Sequence, residues 1–379
     1  MKNPAVRAVA AILPRATAWR ADAQTFQRFA DIPYGDGDPA QRLDVYVPVP
    51  VPQRLRPVIL WIHGGGWQSG DKLLNTGRVN AMLARGFIVA STNYRLTGTA
   101  QSPAQIHDCK AAVRFLRANA AQYRIDPSRI GVWGSSAGGH LVAHLGSSGG
   151  VAGAEGTVGP FDGVSSRVQA VADYFGPTDF FNVDGWHEQP GTAEAALLGF
   201  SLGDLHDNVN NPAWAAQVAL AHLTGVVEHV TPDDPPFYIA HGTADNTVWP
   251  EHSELLFAAL QQAGVPSSYR PVPGAGHGLP GIEDVATLDF LVRTLGQCPV
   301  DSNNDGVIEV PPCDCVDINR DGLFPDTADV DAFLTVFSGG ACPTGPGNCG
   351  DVDFNNDGLF PDTADIDALL SVFSGGPCL

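Results

Sequence analysis

A single pentapeptide constrains this chain more than any other feature. Residues 130–133 (IGVW) form an apolar run that stops at Gly134-Ser135-Ser136-Ala137-Gly138, and residues 137–145 (AGGHLVAHL) then read as a helix. A buried strand that becomes a helix within a few residues must reverse sharply, and a serine at the apex of G-x-S-x-G is pushed out above the end of the strand. Glycines on either side make so crowded a turn possible, because they carry no Cβ. Without that context the same five residues would be a glycine-rich loop that merely holds Ser136. Strand, turn and helix together make Ser136 the candidate nucleophile.

The surrounding pattern predicts the sheet such a turn needs. Residues 42–49 (RLDVYVPV) alternate and end at prolines, as an antiparallel edge strand does. Residues 57–62 (PVILWI), 87–92, 130–133, 168–175 and 237–240 are short runs of the kind that become buried strands, and 269–272 is expected to be a further strand. Helical segments separate them. The clearest is 105–123, with Ile106, Cys109, Val113 and Leu116 at helical spacing, which makes Cys109 a packed core residue rather than a reactive thiol. Strands alternating with helices predict an α/β fold, a mostly parallel sheet covered on both faces. Two long stretches lack periodicity. Residues 146–166 follow the helix behind the nucleophile, whereas 182–211 follow a strand end and stand nearer the site, as a substrate wall or as surface loop.

His63-Gly64-Gly65-Gly66-Trp67 directly follows the run PVILWI. Acyl transfer develops negative charge on a carbonyl oxygen, and preorganised backbone N–H groups stabilise it. The oxyanion hole is therefore assigned to Gly65 and Gly66, joined by the N–H of Ala137. No G-x-x-x-x-G-K-[ST] or G-x-G-x-x-G pattern supports a phosphate loop here. The partners of such a serine follow in the order acid, then histidine. Asp245 comes just after the run 237–240, in His241-Gly242-Thr243-Ala244-Asp245, and His277 sits in the glycine-flanked loop Gly274-Ala275-Gly276-His277-Gly278. His277 is the candidate general base and Asp245 the acid that orients it. Asp173 and Asp179 are alternative acids. His140 and His144 fall on the helix after the nucleophile, His252 opens a helix, and His63 and His241 end strands, where bracing of loops is expected. Trp67 and Trp249 flank the two loops as candidate walls of an acyl pocket, or as ordinary buried aromatics.

With these residues in view, VILWIHGGGW, STNYRL, GSSAGGHL, FGPTDF, PPFYIAHGTADNTV and PGAGHG together resemble the α/β-hydrolase esterases of the BD-FAE (bifunctional feruloyl and acetyl esterase) group, relatives of the hormone-sensitive-lipase-like enzymes. The likeness runs over about residues 30–295, six motifs in order. It implies an α/β-hydrolase fold and hydrolysis of carboxylic esters, feruloyl or acetyl groups on plant or algal polysaccharide among them, with no cofactor for catalysis. The stretch 201–230 is longer than the group's usual pattern.

Charge divides the chain. The 379 residues carry 21 basic and 41 acidic side chains, a net charge of −20, which disfavours nucleic acid as a partner. From Cys298 onward there are 15 acidic residues against one basic residue, Arg320. The cysteines break at the same place: Cys298, Cys313, Cys315, Cys342, Cys349 and Cys378 lie in the tail and Cys109 alone lies before it. Six cysteines in a short acidic segment predict disulfides and an oxidising, extracellular compartment. With no Cys-x-x-Cys pair and no tail histidine, zinc is the weaker explanation. The expected organisation is an N-terminal extension (1–29), a catalytic domain (30–297) and an acidic tail module (298–379). No run reaches the about 18 apolar residues of a membrane span. Residues 8–13, bounded by Pro14 and Arg15, are too short for a secretory hydrophobic region.

The tail repeats itself: residues 316–342 and 352–378 align with 21 of 27 positions identical. Each copy reads D-x-N-x-D-G-L-F-P-D-T-A-D, then a short apolar helix. Asp317, Asn319 and Asp321, and again Asp353, Asn355 and Asp357, are hard oxygen donors at the spacing calcium takes, with Gly322 and Gly358 at the sharp turn. The tail resembles a dockerin-type module of small, helical, EF-hand-like architecture. The resemblance implies structural Ca²⁺ and a cohesin-like receptor as partner. Position twelve of each loop is Ala328 or Ala364, and the carboxylate comes one residue later, at Asp329 or Asp365. The competing explanation is a disulfide-held acidic stalk without metal. For the whole chain the competing functions are a generic short-chain carboxylesterase, a small-molecule amide hydrolase of the formamidase kind, and a binding protein that docks through its tail. A peptidase of the prolyl-oligopeptidase kind is disfavoured, because no propeller-sized region precedes the core.

Overall fold

A computed structural model of the chain describes residues 25–296, apart from Arg54 and Asp184. The expected calcium ligands, the tail cysteines and most of the N-terminal extension lie outside the described residues.

Eight strands, β1 (Phe26–Pro33), β2 (Arg42–Pro48), β3 (Arg56–Ile62), β4 (Ile88–Thr92), β5 (Ile125–Ser135), β6 (Ala170–Tyr174), β7 (Phe237–Gly242) and β8 (Ser267–Val272), form one sheet in the order β1-β2-β4-β3-β5-β6-β7-β8. The β1–β2 and β2–β4 pairs are antiparallel and the remaining five are parallel. Crossovers are made by helices α1 (Thr76–Ala84), α2 (Ala104–Ala118), α3 (Ala137–Ser147), α4 (Ala152–Glu155), α5 (Ala193–Leu198), α6 (Leu202–Asn208), α7 (Ala215–Thr224), α8 (Glu251–Ala263) and α9 (Ile282–Leu295). None of the described helices is long and apolar enough to cross a membrane.

Strand alternation explains the two-sided core. Val58, Leu60 and Ile62 of β3 point into one hydrophobic cluster, with Ile106, Val113, Leu141 and Leu256 of α2, α3 and α8. Ile59 and Trp61 point into the other, with Met82 and Leu83 of α1 and Leu288 and Leu291 of α9. A continuous apolar run is what a strand buried on both faces requires. Cys109 is fully buried in the first cluster, and burial pushes its thiol well above the ordinary range.

Two expectations need correction. The strand at 42–49 is not the edge: β1 pairs outside it, Phe26 opposite Pro48 and Phe29 opposite Val45. The same strand straddles the expected boundary at residue 29, so the sheet begins inside what was assigned to the extension. The sequence of β1 (FQRFADIP) alternates poorly, and its burial pattern is mostly exposed, as befits an edge. Polar anchoring compensates. Asp44 on β2, completely buried, accepts from Arg28 Nη2 at 2.7 Å and from the Asp31 N–H at 2.8 Å.

A second buried carboxylate ties the loop after β4 to α2. Asp108 is completely buried; it accepts from Arg95 Nε and Nη2, each at 2.8 Å, from the Arg95 N–H at 2.8 Å and from Gln41 Nε2 at 2.9 Å. Removing one member of such a network leaves the other charge unpaired. Asp108→Ala is therefore expected to lower unfolding free energy by about 3–5 kcal/mol in chemical denaturation. A loss below about 1 kcal/mol would show that the network is not holding this loop.

Candidate active site

The site grows from the turn between β5 and α3. Ser136 has φ 56° and ψ −126°, a strained conformation for a non-glycine residue, and its N–H donates to the Tyr174 carbonyl at the end of β6 at 2.8 Å. Gly138 allows the helix to start there. A methyl group on Gly138 would overlap the Ile62 and His63 carbonyl oxygens at the end of β3, so α3 packs onto the neighbouring strand only without a side chain.

His277 Nε2 stands 3.0 Å from Ser136 Oγ, and its Nδ1 stands 2.7 Å from Asp245 Oδ2. Hydrogen-bond logic fixes the tautomer: Nδ1–H donates to the carboxylate and Nε2 accepts the serine proton. The two loops that carry the partners are stitched together, the Ala244 N–H donating to the Ala275 carbonyl at 2.8 Å. Asp245 Oδ1 accepts the N–H groups of Thr247 (2.8 Å) and Val248 (3.1 Å), and Oδ2 also lies 3.3 Å from His241 Nε2. Burial alone would raise this carboxyl. The hydrogen bonds from His241, His277 and Thr247 outweigh burial and hold it well below the usual carboxylate range. Asp245 therefore stays ionised wherever the imidazolium of His277 must be stabilised.

The expected oxyanion donors border the serine. Gly65, Gly66 and Ala137 line the same cavity as Ser136 and His277, of about 460 Å³. None of their N–H groups donates to another group among the described residues. Gly65 has φ 108°, and a Cβ there would overlap Ser69. Trp67 also lines the cavity, nearly fully buried, its Nε1–H donating to His140 Nδ1 at 3.3 Å. Trp249 does not line it. It packs against the main core, and Thr247 and Val248, just before it, take the wall position.

His140, His63 and His241 are braces, whereas His144 is buried with both ring nitrogens unpartnered among the described residues. His140 spans Trp67 and the Thr224 carbonyl (2.8 Å), and burial pushes its pKa down to about 4. His63 Nδ1 lies 2.8 Å from the Gly64 carbonyl, and its ring stacks on Tyr94. His241 Nδ1 meets Ser253 Oγ at 2.7 Å, and Nε2 meets the Val248 carbonyl at 2.9 Å, fixing the acid loop from behind. Burial likewise pushes His252 down to about 3. The alternative acids are engaged elsewhere: Asp173, pushed up to about 7 by burial, accepts from the Gly176 N–H, and Asp179 Oδ1 accepts from Phe181 and Asn182.

The sequence did not single out Phe175, His187, Glu194, Thr247 or Val248, all of which line the cavity. Phe175, at φ 44°, sets its ring edge-on to His277 with centroids 4.7 Å apart. His187 and Glu194 come from the aperiodic stretch 182–211 and carry no motif; their position near the end of β6 was the available signal.

The BD-FAE family model matches residues 43–260. Esterase LipQ of Mycobacterium tuberculosis is 32% identical over 251 residues, 65% of this chain and 56% of LipQ. A truncated carbohydrate esterase from gut microbiota superposes with a TM-score of 0.64 at 32% identity, covering 73% of this chain and 98% of that one. A bifunctional GH43-CE protein of Bacteroides eggerthii gives 0.62 at 34% identity, covering 70% and 38%. The match spans a little over half the length of LipQ.

Asp245→Asn keeps the shape of the acid but turns an amide N–H₂ or a neutral oxygen towards His277, and so disturbs the tautomer. It is expected to cut kcat on an activated ester by about 10⁴-fold. A loss below about tenfold would mean that Asp245 does not orient the base.

Proposed function

The chain belongs to the BD-FAE family, and from that premise we propose that it is a carboxylic ester hydrolase working through Ser136, His277 and Asp245. The observation that carries this is the continuous relay at the cavity, 3.0 Å from serine to histidine and 2.7 Å from histidine to aspartate. Ser136 Oγ attacks the ester carbonyl as His277 Nε2 takes its proton. The oxyanion so formed accepts from the N–H groups of Gly65, Gly66 and Ala137. Collapse expels the alcohol, protonated by His277, and leaves an acyl group on Ser136. Water, deprotonated by His277, attacks that acyl group, and the acid departs as Ser136 recovers its proton.

The proposed substrates are acetyl or feruloyl esters of plant or algal polysaccharide. Support comes from the family, from the gut-microbiota carbohydrate esterase and from the bifunctional GH43-CE protein. Initial rates on p-nitrophenyl acetate, p-nitrophenyl octanoate, methyl ferulate and acetylated xylan, with Ser136→Ala as blank, test this. Turnover of acetylated xylan or methyl ferulate is expected, and Ser136→Ala should lower it by about 10⁴–10⁶-fold. Retention of most activity would remove Ser136 as nucleophile; activity on the p-nitrophenyl esters alone would leave a generic short-chain esterase.

For the tail, whose residues lie outside those described, the proposal rests on sequence. The donor set Asp317, Asn319, Asp321 and Asp329, repeated at Asp353, Asn355, Asp357 and Asp365, is all hard oxygen and suits Ca²⁺ in a structural role. The acidic, cysteine-bearing module would act in a secreted protein and dock a cohesin-like receptor. Calcium titration of the full chain should find two sites, one of them lost in Asp317→Asn and the other in Asp353→Asn. A chelator should leave ester turnover within about twofold. Absence of calcium binding would favour the metal-free stalk.

A further inference from the structure

The cavity holds a second acid–base pair that the triad does not use. His187 Nδ1 and Glu194 Oε2 are 2.8 Å apart, and both residues line the wall beside Ser136. Glu194 is 3% exposed, and a carboxylate so buried is costly unless paired. Oε2 is taken by His187. Oε1 has no hydrogen-bond partner among the described residues and is not sealed from solvent, and Glu194 lines the cavity. His187 Nε2 is likewise without a partner among the described residues, on a side chain about one-third exposed.

The backbone holds this arrangement against local preference. His187 has φ 49°, an uncommon conformation for a residue with a side chain, and such residues concentrate where function over-determines them. Its ring stacks on Trp186, centroids 4.5 Å apart, and Trp186 Nε1 donates to the Thr247 carbonyl at 3.1 Å. Thr247 in turn donates its N–H to Asp245. The pair is thus braced to the loop that carries Asp245, and it lines the same cavity as Ser136 and His277. Ala193 fixes the other end, since a Cβ on Gly66 would come within 3.1 Å of the Ala193 methyl.

Most of the remaining lining is apolar or glycine: Trp67, Phe175, Pro177 and Val248 among them. A few convergent polar groups in an apolar cavity fix a ligand's orientation. We propose that His187 and Glu194 form a subsite that reads hydroxyl groups on the alcohol half of the ester, with Nε2 and Oε1 as donor and acceptor for neighbouring hydroxyls of a sugar or a glycerol. This rests on the ester hydrolase function proposed above. The Glu194 carboxylate raises His187 above the ordinary imidazole range, which favours the form that donates from Nε2.

The test holds the acyl group constant and varies the alcohol. Monoacetylglycerol and a monoacetylated methyl xyloside are compared with propyl acetate and cyclohexyl acetate, which match them in size without the hydroxyls. Wild type is expected to favour the hydroxylated esters by about 10- to 100-fold in kcat/KM, the worth of one hydrogen bond to a charged group; the larger preference identifies the polyol. Glu194→Gln keeps the shape and the contact with His187 but replaces the acceptor Oε1 with a donor, and His187→Asn suits positive φ. Each should shrink the preference to within about threefold, mainly through KM, with melting temperature shifted by no more than a few degrees. Wild type without a preference, or variants that slow all four esters equally, would overturn the subsite and leave the pair structural. If no ester is turned over above the Ser136→Ala blank, the hydrolase function itself falls, and the subsite with it.

Discussion

Everything at this site depends on how closely three backbone segments approach one another. The end of β3, the end of β5 and the start of α3 meet where Gly138 packs on the Ile62 and His63 carbonyls. That contact places the loop Gly64–Trp67 against Ser136, so nucleophile and oxyanion donors share one rigid origin. The strain at Ser136, φ 56°, is stored where the sheet over-determines it, with the Ser136 N–H tied to the Tyr174 carbonyl. Donors preorganised in this way need not reorient as charge develops.

Charge is handled with the same economy. Asp245 is buried, and an unpaired carboxylate there would be driven towards its neutral form. Two histidines and two backbone N–H groups reverse that tendency. The division of labour between the histidines follows from burial. His140 both accepts from Trp67 and reaches the Thr224 carbonyl, a complete set for a neutral ring, and burial keeps it neutral. His277 alone among the described histidines joins Ser136 to a carboxylate and stays partly open to the cavity. A histidine-rich neighbourhood therefore contains one ring that bridges Ser136 and Asp245, beside several that brace the backbone.

Legibility followed the same physics. The interior strands were readable because burial on both faces demands unbroken apolar runs, and the Ser136 turn because no other residue pattern fits so tight a reversal. Chain order together with the position just past a strand end then favoured Asp245 and His277 over Asp173, which stands one residue before the end of β6 and accepts from the Gly176 N–H. Edge strand β1 was missed because an edge needs no apolar run: besides its ladder to β2, it is tied to the sheet by Arg28 to Asp44, a pair no local pattern announces. Trp249 was a fair candidate on position, but a wall is set by side-chain direction, which one residue of register changes. The pair at His187 and Glu194 was illegible for a related reason: His187 stands on irregular backbone, and Glu194 lies in the first turn of the six-residue α5, too short to show a period from which to infer which face is buried.

That irregular wall is not independent of the machinery it faces. Trp186 lies between the rings of His187 and His252 and bonds the Thr247 carbonyl, while Thr247 bonds Asp245. Groups that share a network do not contribute additively. A substitution at Trp186, which does not itself line the cavity, therefore acts on two groups at once, on His187 through the stacked ring and on Asp245 through Thr247.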